Sequence, residues 1–162
     1  MSFHITPPTG QTLNPHHTVA EQRNIEWVLR FCPGLAQEPA KLDRLRQARF
    51  SRLAALTYPR VGADELTLLC NWITWLFVHD DCWCDDSDAD EAALTQLHTQ
   101  VLATLRGELT PAPDDTALLH MLAELGPRIR RWANDGWMDH FIADIDAYLQ
   151  SNRWEAQNRR LG

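Results

Sequence analysis

Residues 63–90 read ADELTLLCNWITWLFVHDDCWCDDSDAD, an apolar stretch that runs out into carboxylates. At helical spacing Leu66, Leu69, Cys70, Ile73, Leu76 and Phe77 mark one face, and Leu68, Trp72 and Trp75 populate a neighbouring one. Only Thr67, Asn71 and Thr74 remain as small polar relief, so the spacing predicts a helix over 63–83 that is buried nearly all round. Asp80 stands three residues beyond Phe77 and four beyond Leu76, so the first face terminates in a carboxylate. Asp81 sits beside it, and Asp85, four residues further on, stacks on Asp81 where the helix persists that far.

Seven of the twelve residues at 80–91 are acidic, and they gather at the C-terminal end of the helix, where the macrodipole already places partial negative charge. Such a group repels itself unless a cation is present. Clustered hard oxygen ligands suit Mg²⁺, which keeps several waters and is held by one or two carboxylates together with substrate phosphates. Asp86, Asp88 and Asp90 read more simply as a solvated loop with a helix cap. His79 with Cys82 and Cys84 matches no standard zinc spacing and has no second ligand pair.

The rest of the chain also carries helical periodicity. Residues 1–17 are rich in Pro, His and Thr and aperiodic, which predicts an extended leader ahead of a helical domain over 18–162. Thr18 and Glu21 read as a capping box that opens a helix closed by Pro33-Gly34. A single helix is expected over 40–57, ended by Tyr58-Pro59, and another over 88–106, capped by Asp88. Two more fit 114–133 and 135–160, with a break at Gly126-Pro127 and a stripe of Met138, Phe141, Ile142, Ile145, Tyr148 and Leu149. No segment alternates with period two, so the fold class is all-α, a helical bundle.

Composition narrows the function. At 162 residues, with 44% hydrophobic and 23% charged residues, the chain suffices for one packed domain, and no apolar run reaches the length of a membrane span. A net charge of −7 without any long Lys/Arg cluster argues against a nucleic-acid surface, and the short cluster of Arg128, Arg130 and Arg131 reads as a solvated face. A polyanionic substrate would then need a cation as intermediary. Cys32, Cys70, Cys82 and Cys84 lie in no framework spacing, as reduced thiols do, and the first residues lack a secretion signal, so the expected location is cytoplasmic. Seven tryptophans point to an interior rich in aromatic rings.

The run Trp-Leu-Phe-Val-His-Asp-Asp at 75–81 resembles the Asp-rich motif that ends an apolar helix in bacterial class I terpene synthases, here in the longer-spaced DDxxxD form of Asp80, Asp81 and Asp85. The pattern Trp-Glu-Ala-x-Asn-Arg at 154–159 is similar to a later helix of the same family, and the likeness extends over about 19–160. The resemblance implies the first, N-terminal half of the class I terpenoid synthase fold. It implies Asp80 and Asp81 as the catalytic pair, Asp80, Asp81 and Asp85 as Mg²⁺ ligands, and Phe77, Ile73 and Trp72 as pocket lining. It further implies three Mg²⁺ in a complete site and an isoprenyl diphosphate, farnesyl or geranyl, as substrate. Cys84 occupies the position of the third acid in the shorter spelling, and an Asn/Asp-x-x-Ser/Thr-x-x-x-Glu box is absent from these residues. Inactivity of this segment alone is therefore expected, with a second-half chain or self-association to complete it. Two competing readings remain: an isoprenyl diphosphate synthase, using Asp80, Asp81 and Asp86, and a non-catalytic helical module that acts only by association.

Overall fold

The computed structural model describes residues 12–80 and 91–161, and among these every regular element is helical. In chain order they are α1 (His17–Phe31), a 3₁₀ turn (Pro33–Gln37), α2 (Pro39–Ala48), α3 (Phe50–Thr57), α4 (Ala63–His79), α5 (Glu91–Arg106), α6 (Ala117–Arg130) and α7 (Asp135–Leu161). No helix of the described residues is long and apolar enough to cross a membrane.

Helix α4 occupies the centre because both of its apolar faces need cover. Leu68 and Trp75 join Trp27, Leu97, Val101, Leu119, Leu122, Leu125, Met138 and Leu149 in the main core, contributed by α1, α5, α6 and α7. Leu66 and Cys70 join Ala20, Ala54 and Ala55 in a smaller core between α1 and α3. The expected polar relief is buried as well: Thr67, Asn71 and Thr74 are at most 7% exposed, and Asn24 of α1 donates to Thr74 Oγ1 at 2.9 Å. Two indoles tie the bundle together through their N–H groups, Trp75 to the carbonyl of Leu118 at 2.9 Å and Trp27 to Glu124 at 2.8 Å.

Several boundaries differ from the sequence expectation. Helix α1 begins at His17, so Thr18 lies inside it, and Asn14 organises the entry by accepting from His16 N–H at 2.9 Å. The helix expected over 40–57 is two helices, broken at Arg49 in the left-handed region at φ 52°. The reason is burial: α2 buries no residue and stays at the surface, whereas α3 turns inward to bury Ser51, Ala54 and Ala55. Helix α6 runs through Pro127, whose fixed φ suits a helix, and the burial of Leu122, Leu125 and Ile129 holds it together. Helix α5 ends on Gly107 at φ 80°, with Glu108 N–H bonded to Ala103 O and Gly107 N–H to Thr104 O, the two bonds of a Schellman cap. The cap expected at Asp88 lies outside the described residues.

Leu122 is fully buried in the main core, so Leu122→Ala is expected to lower stability by about 2–5 kcal/mol in denaturant unfolding. Arg49→Val places a β-branched residue in the left-handed region and should lower it by about 1–2 kcal/mol, whereas Arg49→Gly should not.

Candidate functional site

The acidic end of α4 is built in stages. At the start of the helix Gly62 N–H donates to Glu65 at 2.6 Å, and Asp64 and Glu65 place negative charge in the first turn, where the dipole welcomes it. At the other end the dipole is adverse, and Asp80 follows directly on His79 with helical backbone angles, its N–H bonded to the carbonyls of Leu76 and Phe77. Asp80 Oδ1 accepts from Tyr148 Oη at 2.5 Å and from Asn152 Nδ2 at 3.3 Å, both on α7 and one turn apart. The Asp80 side chain is 42% exposed, so its carboxylate is reached by solvent while one oxygen is tied to the bundle.

Behind Asp80 the core holds two imidazoles. His79 is fully buried, its Nδ1 3.7 Å from Asp80 Oδ1, and burial holds its pKa below the ordinary value against the opposing pull of that carboxylate. His98 of α5 lies 5.3 Å away by ring centroid and is 2% exposed. Burial first, then the neighbouring His79 and Arg153, push its pKa from 6.5 down to about 4, with Asp146 opposing. Neither ring nitrogen of His98 has a hydrogen-bond partner among the described residues. Both rings are thus neutral near pH 7, and Asp80 meets no cationic imidazole.

Ring contacts continue from here along α4. His79 stacks on Trp75 at 5.5 Å, Trp75 on Trp72 at 5.4 Å, Trp72 meets Phe141 at 5.0 Å, and Phe141 stacks on Trp137 at 5.0 Å. The ladder ends at an open cavity of about 470 Å³, lined among others by Tyr58, Leu68, Trp72, Trp132, Trp137 and Phe141. Asp80 lies eight residues beyond Trp72, roughly 12 Å along the helix at about 1.5 Å per residue.

Of the residues singled out as pocket lining, Trp72 borders this cavity. Ile73 packs against the smaller core, and Phe77 is 44% exposed and stacks on Phe50 of α3 at 4.8 Å. Asp81, Asp85 and Asp86, with Cys82 and Cys84, lie outside the described residues. Among the described residues no three His, Cys, Asp or Glu side chains converge as a metal site. Sequence reasoning missed Tyr148 and Asn152 as partners of Asp80. The available signal was Asn152 itself, a polar residue one turn beyond Tyr148 on a face that is otherwise apolar.

Residues 71–162 match a family model described as terpene synthase family 2, C-terminal metal binding. The chain belongs to the terpene synthase family. It is similar to a farnesyl diphosphate cyclizing (+)-T-muurolol synthase of Roseiflexus castenholzii, 34% identical over 157 residues, which cover 96% of this chain and 47% of that protein. Germacrene A synthase of Nostoc punctiforme is 33% identical over 158 residues, again with 96% and 47% covered. Hedycaryol synthase, solved in complex with nerolidol, superposes with a TM-score of 0.74 at 26% identity, over 99% of this chain and 51% of that one. The chain spans about half the length of the terpene synthases it matches.

Because buried His98 resists protonation in the folded state, the unfolded chain takes up the proton first as pH falls below 6.5, and stability drops until about pH 4. Acidification from pH 7 to pH 5 should remove about 2 kcal/mol of unfolding free energy through this group, and His98→Gln should flatten that part of the slope in denaturant titrations.

Proposed function

We propose that this chain is the N-terminal half of a class I terpene synthase whose Asp80-Asp81 pair, with Asp85, binds Mg²⁺ and through it an isoprenyl diphosphate. The observation that carries the reading is the carboxylate of Asp80 at the end of an apolar helix, one oxygen tied to α7, within the segment that matches a metal-binding terpene synthase model. The residue chemistry fits the ion. Carboxylate oxygens are hard ligands, the helix terminus and the adjoining acids raise local negative charge, and Asp80 remains accessible to solvent. Magnesium, three ions per complete site in this reading, supplies charge stabilisation to the departing diphosphate. The similarity to a farnesyl diphosphate cyclizing synthase supports farnesyl diphosphate as the substrate, with geranyl diphosphate as the shorter alternative.

The chain's own residues set the conditions for ionisation. Asp80 stands beside two imidazoles whose protonated forms burial disfavours, so neither ring competes as a cation for its carboxylate. Trp72 and the aromatic rings beyond it offer π faces to a developing carbocation. The matching extent, about half of each relative, supports a complementary half that carries the second metal motif. Trp132, Trp137 and Trp154, between 50% and 67% exposed, are apolar surface that such a half would cover.

Incubation with Mg²⁺ and farnesyl or geranyl diphosphate, followed by analysis of volatiles and released diphosphate, tests the reading. Joined to the complementary half, the chain should yield cyclic hydrocarbon or alcohol, and Asp80→Asn should lower kcat/KM by about 100-fold or more. The 162 residues alone should release no diphosphate. Elongated diphosphates would instead identify an isoprenyl diphosphate synthase, and a reconstituted protein without product would identify a non-catalytic module.

A further inference from the structure

The acidic end of α4 is not shaped by α4 alone. Tyr148 and Asn152, at i and i+4 on α7, both donate to Oδ1 of Asp80, at 2.5 and 3.3 Å. Asn152 is buried, 7% exposed, so its amide is committed inside the bundle and does not merely coat the surface. Among the described residues Oδ2 accepts no hydrogen bond. A carboxylate can turn about its own axis and share its lone pairs among many donors. Two donors converging on one oxygen from a single helix remove that freedom. They also oppose the repulsion that a carboxylate meets at a helix C-terminus.

We infer that Tyr148 and Asn152 are positioning residues: they fix the rotamer of Asp80 through Oδ1 and leave Oδ2 to ligate a divalent cation. This rests on the reading of Asp80 as a metal ligand. Donors behind a ligating carboxylate orient it and tune its charge, and their loss weakens metal binding by about 10–100-fold in sites of this kind. Packing by itself would need no such convergence, since a phenylalanine at 148 would fill the same space against His79, whose ring lies 6.2 Å away.

The test measures Mn²⁺ binding to the whole chain by electron paramagnetic resonance in the presence of inorganic diphosphate, and thermal unfolding with and without Mn²⁺. Tyr148→Phe and Asn152→Ser should each weaken Mn²⁺ by about 10-fold or more, and should shrink the rise in melting temperature that Mn²⁺ confers. The metal-free melting temperature of Tyr148→Phe should fall only slightly, because Asp80 is 42% exposed and water can replace the lost donor. Should Asn152→Ser fail to fold, Tyr148→Phe alone decides. Parent-like Mn²⁺ affinity in the variants, with binding lost in Asp80→Asn, would overturn the positioning role and leave Asp80 as a ligand. A lowered metal-free melting temperature with unchanged Mn²⁺ affinity would make both residues structural and overturn it equally. Parent-like binding in Asp80→Asn, or no binding by the parent chain, would overturn the ligand reading itself and the inference with it.

Discussion

Helix α4 has no face that water can cover cheaply. Its leucines, isoleucine and tryptophans point in two directions, and even its threonines and Asn71 are buried. A helix of this kind must be enclosed by neighbours, since each fully buried large apolar side chain contributes about 1.5–3 kcal/mol only while its neighbours stay in place. Helices α1 and α3 close one side, and α5, α6 and α7 contribute to the other core. The arrangement of the bundle follows from that demand. So does the position of Asp80, because the register of a helix clamped on both sides cannot slide.

The same enclosure explains the electrostatics at the acidic end. Trp75, His79 and His98 are sealed beneath the terminus, and a charged imidazole there would lose its hydration without gaining a full partner. Neutral rings are the outcome, and the carboxylate of Asp80 is the charge that acts on His79. What stabilises that carboxylate from within the protein is the hydroxyl and amide of α7. In this chain one helix carries the acid and another holds one of its oxygens.

Much of this was legible in the residues. Periodicity gave the central helix, expected over 63–83 and described as Ala63–His79, with its two faces, and the stripe from Met138 to Leu149 gave the buried side of α7. The break at Arg49 was not legible, because Gln47, Ala48 and Arg49 are all good helix formers and the turn is imposed by the inward burial of α3. The continuation of α6 through Pro127 was hidden for the opposite reason, a local breaker overruled by its core contacts. At the candidate site, the place of Asp80 at the end of an apolar helix was legible. Its partners were not, because Tyr148 and Asn152 stand 68 and 72 residues away, and only packing brings helices so distant in sequence together.

The stacked rings that run from Trp137 through Phe141, Trp72 and Trp75 to His79 have an optical consequence. Of the indoles in this run, Trp75 is fully buried and stands against the imidazole of His79. Emission there is sensitive to the charge carried by the neighbouring ring. The light emitted by that indole should therefore depend, without any added dye, on whether the buried imidazole carries a proton.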